Sequence, residues 1–310
     1  MKRKFKSICI ILVLVFILVF MLSNPSRIVE SVLFGINIWM YNVFPTLFPF
    51  FVLSDLLINY GFIKVLSKFL GCFMYIFGLS KNTSYVYFLS LICGSPSGAR
   101  NIKQLLDKNI ININDANHLI RFTHSVNPLF VLGTVGSILL NDLRLGFIIL
   151  ISIFLGNLII GILFRIKDND SCNKNSIHDF KERESFIAVL SNSIYNSLDI
   201  LFLMLGIIII FLIISSFIDI FNFNSNFSLI IKGILEMTQG VKLVSISNFS
   251  LIYKVVLMTF FLSFGGISVH MQVSSVIDGS KIKYKNFLIS RIIHSILSSI
   301  LVFILFNIFY

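Results

Sequence analysis

The sequence predicts an all-α, polytopic membrane protein built as two pseudo-repeats with broken, re-entrant or half helices. Three observations carry that class. Hydrophobic residues make up 56% of the chain and mean hydropathy is +0.93, well above the apolar share of a soluble domain. Apolar runs recur from end to end; at about 20 residues per span the chain holds roughly eight to ten spanning or half-spanning helices and almost no soluble domain. Finally, several apolar runs are interrupted by glycine, proline and polar residues. Within lipid such a break must line a cavity or be buried in protein.

The basic excess, 25 Lys+Arg against 14 Asp+Glu, reads as the cytoplasmic-loop bias of a multi-pass cell-membrane protein. No interleaving of basic and aromatic residues supports nucleic acid as a partner; the bilayer is the expected one. Cys9, Cys72, Cys93 and Cys172 form no C-x-x-C pair, and the five histidines show no H-E-x-x-H spacing. No disulfide, metal or other cofactor is expected.

Lys2, Arg3, Lys4 and Lys6 precede the apolar run Ile8 to Leu22, which lacks a small-x-small cleavage site. Residues 1–24 are therefore expected to be an uncleaved first span with a cytoplasmic N-terminus. Ile28, Val32, Ile36 and Trp39 then share one helical face, with Arg27, Glu30 and Asn37 largely opposite, predicting an amphipathic helix lying in the interface. A span runs from Tyr41 to about Tyr60, with Pro49 bending it and Asp55 inside it. An intramembrane carboxylate is costly, so Asp55 is either functional or at a wet helix end, capping Asn59.

The first repeat, 25–165, is organised around Gly94-Ser95-Pro96-Ser97-Gly98-Ala99-Arg100. Two glycines and a proline stop the incoming helix near Cys93, and Ser97 is a candidate N-cap for a new one. The amides at that restart can receive an anionic or carbonyl group; the alternative is a tight turn at the membrane edge. Asn114 or Asp115 can cap the next helix. Thr123-His124-Ser125-Val126-Asn127-Pro128, feeding an apolar run, is a second half-helix start. Leu145 to Arg165 is an ordinary span.

Residues 166–184 are mixed in sign and without apolar periodicity, the expected polar linker. The second repeat, 185–310, echoes the first: Tyr41-Asn42 by Tyr195-Asn196, and Phe88-Leu89-Ser90 before Gly94 by Phe261-Leu262-Ser263 before Gly265-Gly266. Its break continues as Ile267-Ser268-Val269-His270-Met271-Gln272. Leu235-Glu236-Met237-Thr238-Gln239-Gly240 places a carboxylate in apolar surroundings, with a helix expected to end at Gly240. Glu236 pairs with Lys242 or serves a cation or substrate hydroxyl. Lys281, Lys283, Lys285 and Arg291 mark a cytoplasmic end for a last span, Ile292 to Phe309. Basic residues follow both breaks, whereas transporter analogy favours inverted repeats.

The stretches Gly94 to Arg100, Asn127-Pro128-Leu129-Phe130, Leu235 to Gly240 and Gly265 to Gln272 resemble, in that order, the YlbJ-like sporulation integral membrane proteins. These belong with the wider group carrying a nucleoside recognition, or Gate, domain, itself similar to part of concentrative nucleoside transporters. The likeness runs from about Trp39 to the C-terminus and departs at Ser95, where the family often has an aromatic residue. It implies a membrane protein of endospore-forming bacteria needed when the spore cortex is built. It implies no substrate, since nucleoside transport is an inherited label.

Two functions follow. In the first, the breaks face each other near the midplane and gate a small solute. Its pathway candidates are Asp55, Gly94, Pro96, Gly98, Asn127 and Pro128, with Glu236, Thr238, Gln239, Gly265, Gly266, Ser268, His270 and Gln272. The second is a non-transporting scaffold for copies of itself or other sporulation membrane proteins. An enzyme is not expected and no catalytic residue is assigned, because the serines of Gly94 to Gly98 fall outside the central position of a G-x-S-x-G elbow.

Overall fold

The computed structural model describes residues 2–165, 185–221 and 223–310, and no strand occurs among them. The polar linker of residues 166–184 lies outside the described residues. After α1 (Lys2–Ser23), α2 (Pro25–Ile38) continues through a π-helical turn, Trp39–Val43, into α3 (Phe44–Asn59), making one 35-residue apolar rod. The interface-lying helix expected here is thus part of a candidate span. Part of its apolar surface is covered by α9 (Phe186–Ser216), since Gly35 lies against Ile209 and Leu212 and Trp39 Nε1 donates to Leu201 O at 2.8 Å, while Val29, Leu33, Ile36 and Met40 stay exposed.

The remaining elements are pairs of short helices set among long ones. α4 (Phe62–Leu70) and its 3-10 extension, Gly71–Phe77, meet the following segment, Lys81–Cys93, at a bend of 104°. The second part of that segment, α5 (Ser84–Cys93), packs on α6 (Ser97–Asp107) as a first hairpin whose tip is Gly94 to Pro96. Ser97 is the first helical residue rather than the N-cap, and its hydroxyl returns to Gly94 O. α7 (Ile113–Phe122) is capped by Asn112, whose Oδ1 accepts from Asp115 N at 2.7 Å, not by Asn114 or Asp115. The chain is non-helical from Thr123 to Asn127 and resumes at Pro128, leading into the π-helical segment Phe130–Leu139 and then α8 (Leu143–Leu163).

In the second half α10 (Ser225–Leu235) and α11 (Met237–Ser245) form a second hairpin, reversed at Glu236. The helix expected to end at Gly240 runs through it, because Gly240 and Gly233 bring the two backbones into contact beneath the Phe261 ring. α12 (Leu251–Phe264) and α13 (Gly266–Ile277) are one helix interrupted at Gly265, and α14 (Tyr284–Phe309) follows. The sequence likeness of Phe88 to Gly94 and Phe261 to Gly266 therefore joins unlike places, a hairpin tip and a helix interruption. In chain order, the first hairpin is matched by the second, the Thr123 to Asn127 break by Gly265, and α8 by α14.

Among the described residues five helices are long and apolar enough to cross a membrane, or six if the bent pair is one span. The shortfall from eight to ten reflects how much of the apolar sequence is spent on hairpins and half-helices. Two cores flank the breaks: one gathers Phe77, Tyr85 and Phe122, the other Val131, Ile149 and Phe261, and Met237 at the second hairpin tip packs against both. Ile292, Ile296, Ile300 and Phe303 of α14 stay exposed, as residues facing acyl chains would.

Candidate functional site

Both hairpin tips and both helix interruptions meet at the centre of the described structure. Ser95 N donates to Ser125 O at 2.8 Å, so the first tip lies on the α7 break. Close approach requires glycine there: a Cβ on Gly98 would stand 2.5 Å from Thr123 O. The second tip lies on the other break, where Gly266, at φ +67°, leaves room for Met237 N and Leu235 O. The breaks also meet each other, since the His124 ring faces Gly265.

These pieces border a cavity of about 60 Å³, lined by Ser95, His124, Asn127, Glu236, Thr238 and Gln272 among others. That volume holds a few water molecules. Asn42 and Thr46 of the long rod and Met204 of α9 complete the wall. Pro128 opens the resumed helix beside the cavity, where its missing N–H costs nothing, and Asn127 Oδ1 accepts from Leu129 N at 2.7 Å.

Glu236 is 1% exposed and does not pair with Lys242, whose ammonium sits over the Phe34 ring at 4.5 Å. Instead the carboxylate is the N-cap of α11: Oε2 accepts from Gln239 N at 2.8 Å and from the Thr238 hydroxyl. The partial positive charge of that helix end favours an acceptor oxygen at this position. Gln239 turns outward, its Oε1 accepting from Ser215 Oγ of α9 at 2.5 Å, which ties the tip to the adjacent span.

Four expected candidates do not line the cavity. Ser268 is buried with its side chain close to the Glu236 carboxylate. His270 faces α14, its Nδ1 2.8 Å from Tyr284 Oη and its Nε2 3.1 Å from Phe264 O, so it fastens α13 to the bundle. Asp55 lies in a separate cleft, paired with Arg100 at 2.6 Å. Pro96 shapes the first tip without lining the cavity.

The family model described as Gate, nucleoside recognition, matches residues 40–202. The chain belongs to the Gate family. Over 98% of its length this Gate protein is 27% identical to the sporulation integral membrane protein YlbJ of Bacillus subtilis, of which it covers 84%. No solved structure matches it. It is an integral membrane protein, and neither match is to an enzyme family. The Gate match contains the first hairpin and the α7 break; Glu236 and Gly265 lie beyond it.

Sequence reasoning missed what holds the two breaks of this Gate protein together. Arg291, read as a cytoplasmic end marker, is fully buried in α14. Its Nη2 donates to Arg121 O at 2.6 Å and to Asn157 Oδ1 at 3.1 Å, and its Nη1 donates to His124 O at 3.1 Å. Carbonyls at a helix C-terminus lack partners and carry partial negative charge, so the guanidinium caps α7. Asn157 of α8 adds a second donor to His124 O at 2.7 Å. His294, one turn on, is 3.3 Å from Ser263 O at the end of α12 and 2.9 Å from Arg291 Nη1. The available signal was an arginine and a histidine three apart inside an apolar helix, a placement that is costly without a task.

Proposed function

We propose that this Gate protein is a gate, transporter-like or channel-like, for a small solute in the cell membrane of a sporulating cell, acting when the spore cortex is formed. The observation that carries the reading is the convergence of two hairpin tips and two helix breaks on one small cavity whose lining includes Glu236, Thr238, Asn127 and Gln272. Freed backbone groups and a carboxylate at membrane depth are costly unless a pathway uses them. At about 60 Å³ the cavity is too small for a solute much larger than a few waters, so in this reading passage requires a hairpin tip to withdraw. The second tip is the mobile candidate in this reading, and the hydrogen bond from Ser215 to Gln239 is a contact with α9 that its withdrawal would break. The matching order of elements supports two repeats, residues 25–165 and 185–310, and the basic residues Lys2, Arg3, Lys4 and Lys6 ahead of the first apolar run support a cytoplasmic N-terminus. The relationship to YlbJ supports the role in sporulation.

The test is Glu236→Gln, supplied to a Bacillus subtilis strain lacking its YlbJ, with heat-resistant spore yield measured at matched protein abundance. The amide keeps the size of the group and its acceptor oxygen for the cap while removing the charge. Loss of spores with a folded, membrane-located protein is expected. A silent Glu236→Gln beside a damaging deletion in residues 166–184 would instead favour a scaffold.

A further inference from the structure

A second polar cleft, of about 550 Å³, opens between α3, α6, α9 and α13, separate from the central cavity. At its inner wall Asp55 and Arg100, with side chains only 3% and 9% exposed, are joined by one contact, Arg100 Nη2 to Asp55 Oδ2 at 2.6 Å. Asp55 Oδ1 and Arg100 Nη1 are both buried and make no well-formed hydrogen bond among the described residues; the Gln104 side chain lies close to the Asp55 carboxylate, and its Oε1 is likewise unbonded. A buried ion pair recovers its desolvation cost only when its remaining lone pairs and protons are also bonded. This pair has one guanidinium nitrogen and one carboxylate oxygen left over.

The rest of the cleft limits what could complete them. Its ionisable lining is balanced: Arg100, Lys103 and Lys108 against Asp55, Asp107 and Asp199. The two lysines are engaged, Lys103 Nζ with Asp278 O at 2.9 Å and Lys108 Nζ with Asn59 Oδ1 at 3.0 Å. A simple anion would satisfy Arg100 but face the Asp55 carboxylate, and a simple cation would meet the reverse difficulty. A ligand carrying both charges serves both atoms.

We propose that this cleft binds a small zwitterion, an amino acid or short peptide, with its carboxylate on Arg100 Nη1 and its ammonium on Asp55 Oδ1. The volume lies within the ordinary range of small-molecule sites. Ile200 and Leu203 of α9 and Ser275 and Val276 of α13 line the cleft, one turn from the cavity residues Met204 and Gln272. The cleft therefore adjoins the central cavity, but binding here does not require transport.

The experiment titrates the purified full-length protein in detergent with glycine and glycylglycine, and with acetate and methylamine, each of which carries one of glycine's two charges. Calorimetry and saturation-transfer NMR report binding. Saturable binding of a zwitterion is expected, with acetate and methylamine weaker by at least about tenfold. The double variant D55N/R100Q, which removes both charges together, is expected to lose zwitterion binding by a similar factor. Equal binding of acetate or methylamine overturns the assignment, as does zwitterion binding that survives in D55N/R100Q. Absence of saturable binding of both glycine and glycylglycine overturns it too and leaves a hydrated ion pair. Should the double variant fail to fold, the four-ligand comparison on the unaltered protein still decides. A negative result here leaves the spore-yield test of Glu236 untouched.

Discussion

Between α7 and Phe130–Leu139 the chain leaves helical geometry from Thr123 to Asn127, whereas between α12 and α13 it does so only at the pair Gly265-Gly266. The wide gap turns side chains into the cavity: His124, Ser125 and Asn127 all line it. It also frees several carbonyls at once, and a buried guanidinium, an amide and α14 are needed to hold them. The narrow gap offers backbone instead. Two left-handed glycines keep Cβ atoms out of the way, so the Leu235 to Met237 turn can seat against it. One break is therefore a source of ligand-like groups and the other a socket for a hairpin tip, and α14 serves both through Arg291 and His294.

The largest effect should come from emptying the clamp on the wide break. Arg291→Met leaves the Arg121 and His124 carbonyls and Asn157 Oδ1 short of a donor. Stranded buried groups cost about 1–3 kcal/mol each. A total loss on the order of 3–5 kcal/mol is expected, comparable with breaking a buried ion pair. The protein should accumulate poorly, with its thermal midpoint in detergent well below that of the parent; an unchanged midpoint would mean the wide break needs no cap.

At the narrow break, Gly266→Ala should be milder but damaging. The left-handed backbone costs a non-glycine residue about 1–2 kcal/mol. The new Cβ would also stand 2.9 Å from Met237 N, so the second tip must shift. The variant is expected to fold with a lowered midpoint and to lose spore support. Full spore support at matched abundance would show that the tip does not need this socket.

The smallest effect belongs to a control remote from both breaks, the N-terminus of α8. Asp142 caps that helix and accepts from Arg144, whose side-chain hydrogen bond holds the carboxyl below its usual range. A depressed carboxyl contributes stability above its unfolded value, near 4, and loses it as pH falls through the folded value. Asp142→Asn should therefore lower the midpoint slightly at neutral pH and approach the parent in acid. A gap between the two proteins that widens in acid contradicts this account.

The sequence by itself determined the helical membrane class, the places where helices fail and the isolation of Glu236 among apolar residues. Those follow from local chemistry: apolar runs seek lipid, and glycine and proline break helices wherever they fall. It also placed Asn127, Glu236, Thr238 and Gln272, all of which line the central cavity. Only the tertiary structure decided which break matches which, because a hairpin tip and an interrupted helix share the same glycine-rich local signature. It also moved Asp55 and His270 out of the cavity and Arg291 from a membrane edge to the centre of the bundle. An arginine's task there is set by carbonyls freed 167 and 170 positions away in the chain, and no local pattern records them.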